Sequence, residues 1–482
     1  MQLTPRSGRK AAAVICLLPV IWACGDGPTA DRPIPAEMRL LSSVSHSGTP
    51  GWPLPDSIIV EVLDAEGNAL PGVPVTWSAS NGGDRLGRPA DTTNIAGRAA
   101  AEWTLGSNEG EQSLAIRAGH LAPLTVSANA SIFHAASVTV GGGFACALNQ
   151  SGRALCWGWN YQGQVGNGTV SEPTRVPTPV SGDLMFIALT ASDAHVCGLA
   201  ADGAAYCWGS NENGETGTGS FALTVTTPTP VQTATRFTSI SAEGTGTWSN
   251  STCGLTAEGE AWCWGFNGLG KLGDGTTTNS AVPVRVLGGV PFSYVETGHF
   301  HSCATAASNG ELWCWGEQED NPGGLGARPA GAYTVPVVVH PDFRFTQLST
   351  GRNYACGLTP QQAAYCWGTN WFGSLGTDPP SDATAVPLPV AGGHSFVKLS
   401  AAGFEGTHGL TPDGLIYRWG SVGNDNAQPT PVAVTQLQFT QMDGGQEPVF
   451  QSNGSCGISL GGAVYCVDAS DFLRGVPPPV EP

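Results

Sequence analysis

Residues 144–168 read FACALNQSGRALCWGWNYQGQVGNG, and this stretch decides the fold because it recurs along the chain. Its Cys-Trp-Gly core returns at four later points, a sixth copy is altered to Arg418-Trp419-Gly420, and a seventh is reduced to Cys466-Val467. The copies follow one another at intervals of 48 to 56 residues. Because that interval is the length of one small sheet with its connections, seven copies predict the seven blades of a β-propeller.

Each copy has the pattern of two strands joined by a tight turn. In the first copy, β-favouring residues alternate on both sides of Asn149–Gly152, which is typical of a hairpin. A loop rich in Gly and Asn follows, and then a Pro-Val segment such as Val176–Val180. Proline cannot donate to a strand ladder, so these segments are predicted at the outer edge of each blade.

The spacing of the paired cysteines indicates which residues of the two strands lie opposite each other. If Cys146 faces Cys156, the turn is three residues long, and Gly152 supplies the left-handed conformation that such a loop needs. Directly opposed β-carbons lie about 4.5–5.5 Å apart, so a modest adjustment permits a disulfide. In the sixth copy both cysteines are lost together, to His408 and Arg418, as expected for a bonded pair. The predicted disulfides are Cys146–Cys156, Cys197–Cys207, Cys253–Cys263, Cys303–Cys314, Cys356–Cys366 and Cys456–Cys466.

Residues 1–23 have the features of a secretion signal. A basic start precedes the apolar run Ala11–Trp22, which is too short to span a bilayer. Its end, Ile21-Trp22-Ala23-Cys24, resembles the lipobox of bacterial lipoproteins, whose cysteine is lipidated and becomes the new N-terminus. The resemblance implies a lipid anchor at Cys24. Because no Asp follows directly, it also implies the outer membrane or cell surface of the bacterial envelope; plain secretion is the alternative.

Cysteine count and charge agree with export. Of fourteen cysteines, Cys16 lies in the signal and Cys24 is the anchor, which leaves twelve for six pairs, and disulfides persist in oxidising compartments. The formal charge is −18, and loss of the three basic residues of the signal makes the mature chain about −21. This balance argues against nucleic acid as a partner, because nucleic-acid binding needs a basic footprint.

A separate unit precedes the repeats. Residues 24–35 are polar and contain proline, as in a tether, and residues 36–131 contain no cysteine. The pattern Asp64-x-x-Gly67-Asn68-x-x-x-Gly72-Val73-x-Val75-Thr76-Trp77 resembles the bacterial immunoglobulin-like domains of invasin and intimin. The resemblance implies a β-sandwich that serves as a rigid stalk; an adhesive face is the alternative.

Within residues 136–482, three elements carry a second resemblance: Gly298-x-x-His301, Tyr206-Cys-Trp-Gly209-Ser-Asn211-x-x-Gly214 and Gly163-Gln-Val-Gly166. They resemble the regulator of chromosome condensation family of seven-bladed propellers. The resemblance implies that fold, but no catalytic residue of the family can be carried over. The repeat tryptophans are predicted to pack between blades; they are Trp157, Trp208, Trp264, Trp315, Trp367 and Trp419.

Few residues point to chemistry. His195 and His301 lie two residues before the first cysteine of their repeats, a structural position, so we predict them in the core rather than as ligands. The acidic run Glu317–Asp320 carries the oxygen ligands that calcium prefers, but without a recognisable ligand spacing, and is predicted to be a solvated loop. We therefore expect no metal site, no cofactor and no catalytic residue.

The sequence predicts an all-β, non-enzymatic and monomeric protein that binds a protein or a polysaccharide. Since the two cysteine strands are antiparallel, the loops before the first cysteine and after Trp-Gly should emerge at one end of each blade and form the binding face. Aromatic side chains in such loops suit protein contacts and sugar stacking. The predicted ligand-binding residues are Tyr161, Trp248, Trp371 and Phe372.

Two alternatives stay open at this point. The loop aromatics could instead tuck against neighbouring blades. The chain could also be a secreted hydrolase or lyase with a carboxylate site at the propeller mouth, which would require two carboxyl groups held close together in the fold.

Overall fold

The computed structural model describes most of the chain between residues 34 and 476. The described residues are 34–50, 53–54, 56–79, 85–106, 108–242, 250–318, 331–370, 372–378, 383–402, 406–421, 427–446, 453–467 and 473–476. Outside them lie the predicted signal, the predicted lipidation residue Cys24, the predicted ligand-binding residues Trp248 and Trp371, and the last two residues of the acidic run, Glu319 and Asp320. The part that the structure describes contains no helix with the length and hydropathy of a membrane span.

Eight of the first ten strands form two sheets around one core, and the other two form a short separate pair. The strands are β1 (Glu37–Leu40), β2 (Ser45–Gly48), β3 (Ile58–Leu63), β4 (Pro74–Ala79), β5 (Arg85–Leu86), β6 (Ala90–Thr92), β7 (Arg98–Ala101), β8 (Trp103–Thr104), β9 (Gly110–Ala118) and β10 (Leu124–Ala130). One sheet has the order β1-β3-β7, the other β2-β10-β9-β4-β6, and β5 pairs with β8. Alternate residues point inward, and Val60 of the first sheet shares a core with Trp77 and Ile116 of the second.

Seven four-stranded antiparallel sheets follow, one for each repeat, and we number them blades 1 to 7. Blades 1 and 2 comprise β11 (Ser137–Val140), β12 (Phe144–Leu148), β13 (Ala154–Asn160), β14 (Ser171–Pro179), β15 (Phe186–Ala191), β16 (His195–Ala200), β17 (Ala205–Ser210) and β18 (Thr224–Pro230). Blades 3 and 4 comprise β19 (Ser239–Ser241), β20 (Ser251–Leu255), β21 (Ala261–Gly265), β22 (Ser280–Arg285), β23 (Phe292–Thr297), β24 (His301–Ala306), β25 (Leu312–Gln318) and β26 (Gly331–Val338).

The remaining three blades repeat this arrangement. Blades 5 and 6 comprise β27 (Gln347–Thr350), β28 (Tyr354–Leu358), β29 (Ala364–Gly368), β30 (Thr384–Pro389), β31 (Lys398–Ala402), β32 (Gly406–Leu410), β33 (Ile416–Ser421) and β34 (Ala427–Ala433), with a 3₁₀ turn at Ala391–Gly393 between them. Blade 7 comprises β35 (Phe439–Gln446), β36 (Asn453–Ser459), β37 (Val464–Val467) and β38 (Leu473–Gly475). Proline-containing strands such as β14 and β30 are outermost, as predicted.

The cysteine register is confirmed. Cys146 pairs with Cys156 across the hairpin of blade 1, and Gly152 has φ +85° in the turn. All six predicted disulfides are present, with Cα–Cα distances of 4.0 to 4.1 Å. In blade 6, His408 and Arg418 occupy the corresponding opposed positions and are buried.

The repeat tryptophans join neighbouring blades. Trp208 of blade 2 packs in one cluster with the Cys146–Cys156 disulfide of blade 1, and its indole Nε1 donates to the carbonyl of Gln164, also in blade 1, at 2.8 Å. Trp315 makes the same bond to the carbonyl of Lys271. Each of the six disulfides shares a cluster with the tryptophan of the following blade, and blade 1 follows blade 7.

The first strands of all seven blades line one central cavity of about 360 Å³. One side chain per blade lies opposite the first cysteine position. In blades 2, 3, 5, 6 and 7 it accepts a backbone N–H of the next blade; for example, the N–H of Ala242 donates to Thr190 Oγ1 at 2.9 Å, and the N–H of Ala401 donates to Ser349 Oγ at 2.7 Å. We call this ring the central belt. Its members are Thr139, Thr190, Ser241, Glu296, Ser349, Ser400 and Asp443.

The ring closes between blades 7 and 1 through the belt. Asp443 Oδ2 accepts the N–H of Val140 and the hydroxyl of Thr139, both at 3.0 Å, and its Oδ1 accepts the Ser400 hydroxyl at 3.3 Å. A backbone bond repeated at every junction completes the closure. The N–H of Ala135 donates to the carbonyl of Gly462 in blade 7, just as the first residue of β15 bonds to the hairpin turn of blade 1.

Residues 131–136 connect the two units without a free linker. The N–H of Ile132 donates to Glu109 Oε1 at 2.8 Å in the N-terminal unit, and His134 Nδ1 lies 3.0 Å from the carbonyl of Gly461 in blade 7. Ile132 and Phe133 are buried. The segment is therefore hydrogen-bonded to both the N-terminal unit and the propeller.

We predict that Asp443→Ala lowers the free energy of unfolding by about 1–3 kcal/mol, because it removes the acceptor of the Val140 N–H at the closing junction. Urea unfolding measures the change. Asp443→Asn keeps one carbonyl oxygen and should recover part of the loss. The control Asp183→Ala removes an exposed carboxylate that pairs with Arg153 and should change stability by less than about 0.5 kcal/mol. Equal effects of the two alanine variants would contradict a closing role for Asp443.

Candidate functional site

The loops before the first cysteine and after Trp-Gly meet at one end of each blade, as the antiparallel strands predict. In blade 1 the N–H of Trp159 donates to the carbonyl of Gly143 at 2.8 Å, and in blade 2 the N–H of Ser210 donates to the carbonyl of Ala194 at 2.9 Å. The same bond recurs in blades 3, 4 and 5. We call this end the loop face, and the opposite end, which carries the hairpin turns, the turn face.

A buried asparagine holds each described loop in shape. Asn160 Oδ1 accepts the N–H of Val165 at 3.0 Å, and Asn211 Oδ1 accepts the N–H of Thr216 at 3.0 Å. Glycine is required beside it: a Cβ on Gly166, whose φ is +72°, would lie 2.7 Å from the indole nitrogen of the next blade. The described loops of blades 1, 2, 3 and 5 are therefore held in a fixed shape, so they lose little conformational entropy when they bind a ligand.

Two of the four predicted ligand-binding residues lie within the described structure. Tyr161 on blade 1 is 51% exposed, and its hydroxyl donates to Glu172 Oε2 at 2.9 Å, a bond that raises the pKa of the phenol. Phe372 on blade 5 is 38% exposed. Both side chains are thus partly accessible to solvent, Tyr161 more than Phe372. Since blades 6 and 7 lie between blades 5 and 1, the structure does not bring the two aromatic side chains into one cluster.

The structure exposes three further apolar side chains that sequence reasoning missed. Val170 directly precedes the outer strand of blade 1, and Phe221 and Leu223 lie in the corresponding loop of blade 2. The signal in the sequence was the presence of large apolar residues within loops otherwise made of Gly, Ser, Thr and Asn. The repeat pattern does not single them out, because they lie in loop segments whose sequence differs from blade to blade.

The two candidate histidines are core residues, as predicted. His195 is fully buried, with Nδ1 2.6 Å from Ser192 Oγ and Nε2 2.8 Å from Thr252 Oγ1 of the next blade. His301 Nε2 is also buried and lacks a hydrogen-bond partner within the described chain; blade 5 carries Ala355 where blade 3 carries Thr252. Burial, with a smaller contribution from the Lys271 charge, lowers the pKa of both histidines to about 3.

The central cavity holds two carboxylates, Glu296 on blade 4 and Asp443 on blade 7. They lie on different sides of the ring. Both oxygens of Asp443 already accept hydrogen bonds that join blades, which identifies a structural role for this carboxylate. Among the described residues, no group of three or more His, Cys, Asp and Glu side chains is placed to hold a metal ion.

Comparison with known proteins identifies the repeats. Residues 151–199, 202–247 and 258–305 match the family model "Regulator of chromosome condensation (RCC1) repeat", and residues 135–164 and 186–215 match a second model of that description. The ultraviolet-B receptor UVR8 of Arabidopsis thaliana is 28% identical over 291 residues, which cover 59% of this chain and 64% of the receptor. The match therefore spans less than two thirds of that relative.

Solved structures agree with this assignment. Human WBSCR16 superimposes with a TM-score of 0.58 at 18% identity, covering 70% of this chain and 91% of that chain. Prp20p of Saccharomyces cerevisiae has a TM-score of 0.57 at 19% identity and covers 67% and 82%. The chain thus carries RCC1 repeats in an RCC1-type β-propeller, a kind of domain that generally mediates protein interaction or binding.

Because three histidines are buried, we predict that the free energy of unfolding decreases as the pH is lowered. Burial lowers the pKa of His195, His301 and His408 to about 3 in the folded chain, whereas an unfolded histidine titrates near 6.5. Their contribution is therefore complete above about pH 6.5 and is lost progressively as the pH falls from there toward 3. Each group costs about 1.4 kcal/mol per pH unit over that range.

His195→Gln should reduce the loss of unfolding free energy between pH 7 and pH 5 by about 2 kcal/mol, because the variant has one fewer group to protonate on unfolding. Urea unfolding at the two pH values measures this loss. His120→Gln, at an exposed position, is the matched control and should leave it unchanged. A His195 variant with the pH dependence of the parent chain would contradict the prediction.

Proposed function

We propose that this chain is a non-enzymatic lipoprotein of the bacterial cell envelope whose propeller binds a protein or a polysaccharide. The observation that carries the proposal is the loop face, whose described loops have a fixed shape and expose Tyr161 and Phe372. Among structural relatives, Prp20p is described together with its binding to Gsp1p and histones, so an RCC1-type propeller is compatible with a purely binding role.

The N-terminal unit serves in this proposal as an immunoglobulin-like stalk. Its two sheets enclose one core, which is the layer arrangement of a β-sandwich, and its sequence resembles the stalk domains of invasin and intimin. The bonded segment 131–136 supports a fixed rather than a swinging connection, because Glu109 and Gly461 hold it from opposite sides. A fixed stalk would present the loop face at a defined distance from the membrane.

The envelope location rests on the disulfides and on the signal. Six cross-linked hairpins persist only in an oxidising compartment, such as the periplasm or the cell surface. The lipobox-like segment Ile21–Cys24 supplies the anchor, and the acidic mature chain favours neutral or basic partners.

Expression in a bacterium with an alkyne-labelled fatty acid tests the anchor. We expect label on the parent chain and its recovery with membranes. Cys24→Ser should abolish the label and release the chain, because the thiol of Cys24 is the proposed acyl acceptor. Cys16→Ser, which changes a cysteine inside the signal, is the control and should keep both properties. Retained labelling of the Cys24 variant would contradict lipidation at this residue.

The loop face is tested with the soluble Cys24→Ser chain, immobilised and exposed to envelope extract and host matrix. We expect saturable binding without product formation. Tyr161→Ala and Phe372→Ala should each weaken that binding about tenfold, the range for a contact residue of moderate importance, and leave thermal unfolding nearly unchanged. Leu460→Ala on the turn face, also an exposed apolar residue, is the control. Loss of affinity only in the Leu460 variant would place the ligand on the turn face and contradict the proposal. Formation of a product would indicate an enzyme instead of a binding protein.

A further inference from the structure

We propose that the adjoining loops of blades 1 and 2 bind a positively charged, apolar segment of a partner protein. The surface consists of Tyr161, Val170, Phe221 and Leu223, and we call it the blade 1–2 patch. The inference rests on the proposed binding function and narrows its ligand from a protein or polysaccharide to one class of protein segment.

The four side chains of the patch are between 51% and 70% exposed. The loop of blade 1 lies directly on the outer strand of blade 2: the N–H of Gly168 donates to the carbonyl of Thr226 at 2.9 Å, and a Cβ on Gly163 would lie 3.1 Å from Thr226. Tyr161 is two residues from Gly163, and Leu223 is three residues from Thr226. The two loops therefore form one continuous surface across the blade junction.

The fold does not require apolar residues at these positions. The corresponding loop of blade 3 reads Thr276-Thr277-Thr278-Asn279, so Thr277 stands in the place of Phe221 and Asn279 in the place of Leu223. The carbonyls of Thr276 and Thr278 accept bonds from the side-chain amide of Asn267. In blade 2, the side-chain amide of Asn211 donates to the carbonyl of Ser220, and the backbone N–H of Asn211 donates to the carbonyl of Leu223. Since the loop bonds need only the backbone, the exposed side chains of Phe221 and Leu223 are available for another purpose, and burial of such apolar surface by a partner is favourable.

Exposed carboxylates lie on the two blades of the patch. Six acidic residues occur between residues 154 and 235, of which Asp183 and Asp202 pair with Arg153 and Arg236, and Glu215 is buried. Glu172, which accepts the Tyr161 hydroxyl bond, and Glu212 are both exposed on these two blades. A segment carrying Lys or Arg would meet these carboxylates, and its cations could also lie over the faces of Tyr161 and Phe221.

The mixture of side chains favours a protein segment over a sugar. Val170 and Leu223 are aliphatic, and aliphatic side chains pack well against apolar protein side chains. A sugar-binding surface instead combines flat aromatic rings with several hydrogen-bonding groups. Extended or helical peptides that dock on rigid surfaces use such apolar anchors with charged neighbours.

Three short labelled peptides test the inference with the full mature chain: one alternates Lys and Leu, one alternates Lys and Ser, and one alternates Glu and Leu. Fluorescence anisotropy at about 0.15 M salt gives each dissociation constant, since screening at that ionic strength suppresses distant charge effects. We expect the Lys/Leu peptide to bind at least about tenfold more tightly than either of the others.

Two double variants locate the peptide. Phe221→Thr with Leu223→Asn installs the residues of blade 3, Thr277 and Asn279, and should weaken Lys/Leu binding about tenfold. Glu172→Gln with Glu212→Gln keeps hydrogen-bond acceptors, and should weaken binding and flatten its salt dependence. The matched control is Met185→Thr with Ile187→Thr at the turn face of the same blade, where the side chains are 58% and 61% exposed; it should bind like the parent chain.

Parent-like affinity in the Phe221/Leu223 double variant, or equal affinity for all three peptides, would overturn the blade 1–2 patch. Thermal unfolding of each variant shows whether it has folded. The proposed function fails on a different result, the absence of any saturable ligand for the loop face. A ligand that needs Phe372 but ignores the blade 1–2 patch would keep the proposed function and reject this inference.

Discussion

The contact between an indole ring and the disulfide of the preceding blade is the interaction on which the propeller depends. A four-stranded sheet has two faces, and a single blade cannot bury both. Trp208 covers the disulfide of blade 1 with one face of its blade, while the Cys197–Cys207 disulfide on the other face is covered by Trp264. The small disulfide on one blade and the large indole on the next therefore pack together closely, and this contact is repeated around the propeller.

The irregular repeats obey the same rule. Blade 6 has lost its disulfide, and blade 7, which follows it, is the blade that has lost its tryptophan; Val467 stands in its place. The two losses meet at one junction, where His408 and Arg418 occupy the cysteine positions and remain buried. A buried pair of larger side chains is compatible with a smaller neighbour, which explains why both changes occur together. In the sequence, the lost disulfide and the lost tryptophan look unrelated. The order of the blades shows that both changes lie at the same junction.

Most of the fold could be predicted from the sequence because the repeat fixes local pairing. The spacing of Cys146 and Cys156 determines a hairpin register, and that register determines which residues face the next blade. Ring closure could not be predicted in this way, since it depends on contacts more than 300 residues apart. Asp443 is an ordinary acidic residue in the sequence, and only the folded chain places it beside Thr139. The sequence predicted which loops lie together at one end of the propeller, but not which of their side chains are exposed. Side-chain exposure depends on how each loop packs against the next blade.

The loops show why exposed side chains are informative in a repeat protein. Within each loop, the asparagine and the close-packed glycines are committed to the fold, as Asn211 and Gly217 are in blade 2. Selection on stability alone would leave the remaining positions polar, as at Thr277 in blade 3. Large apolar side chains at Phe221 and Leu223 cost solubility in the free protein and add nothing to the bonds that shape the loop. Their presence on blade 2, beside the exposed Tyr161 and Val170 of blade 1, is therefore better explained by a contact outside the chain than by one within it.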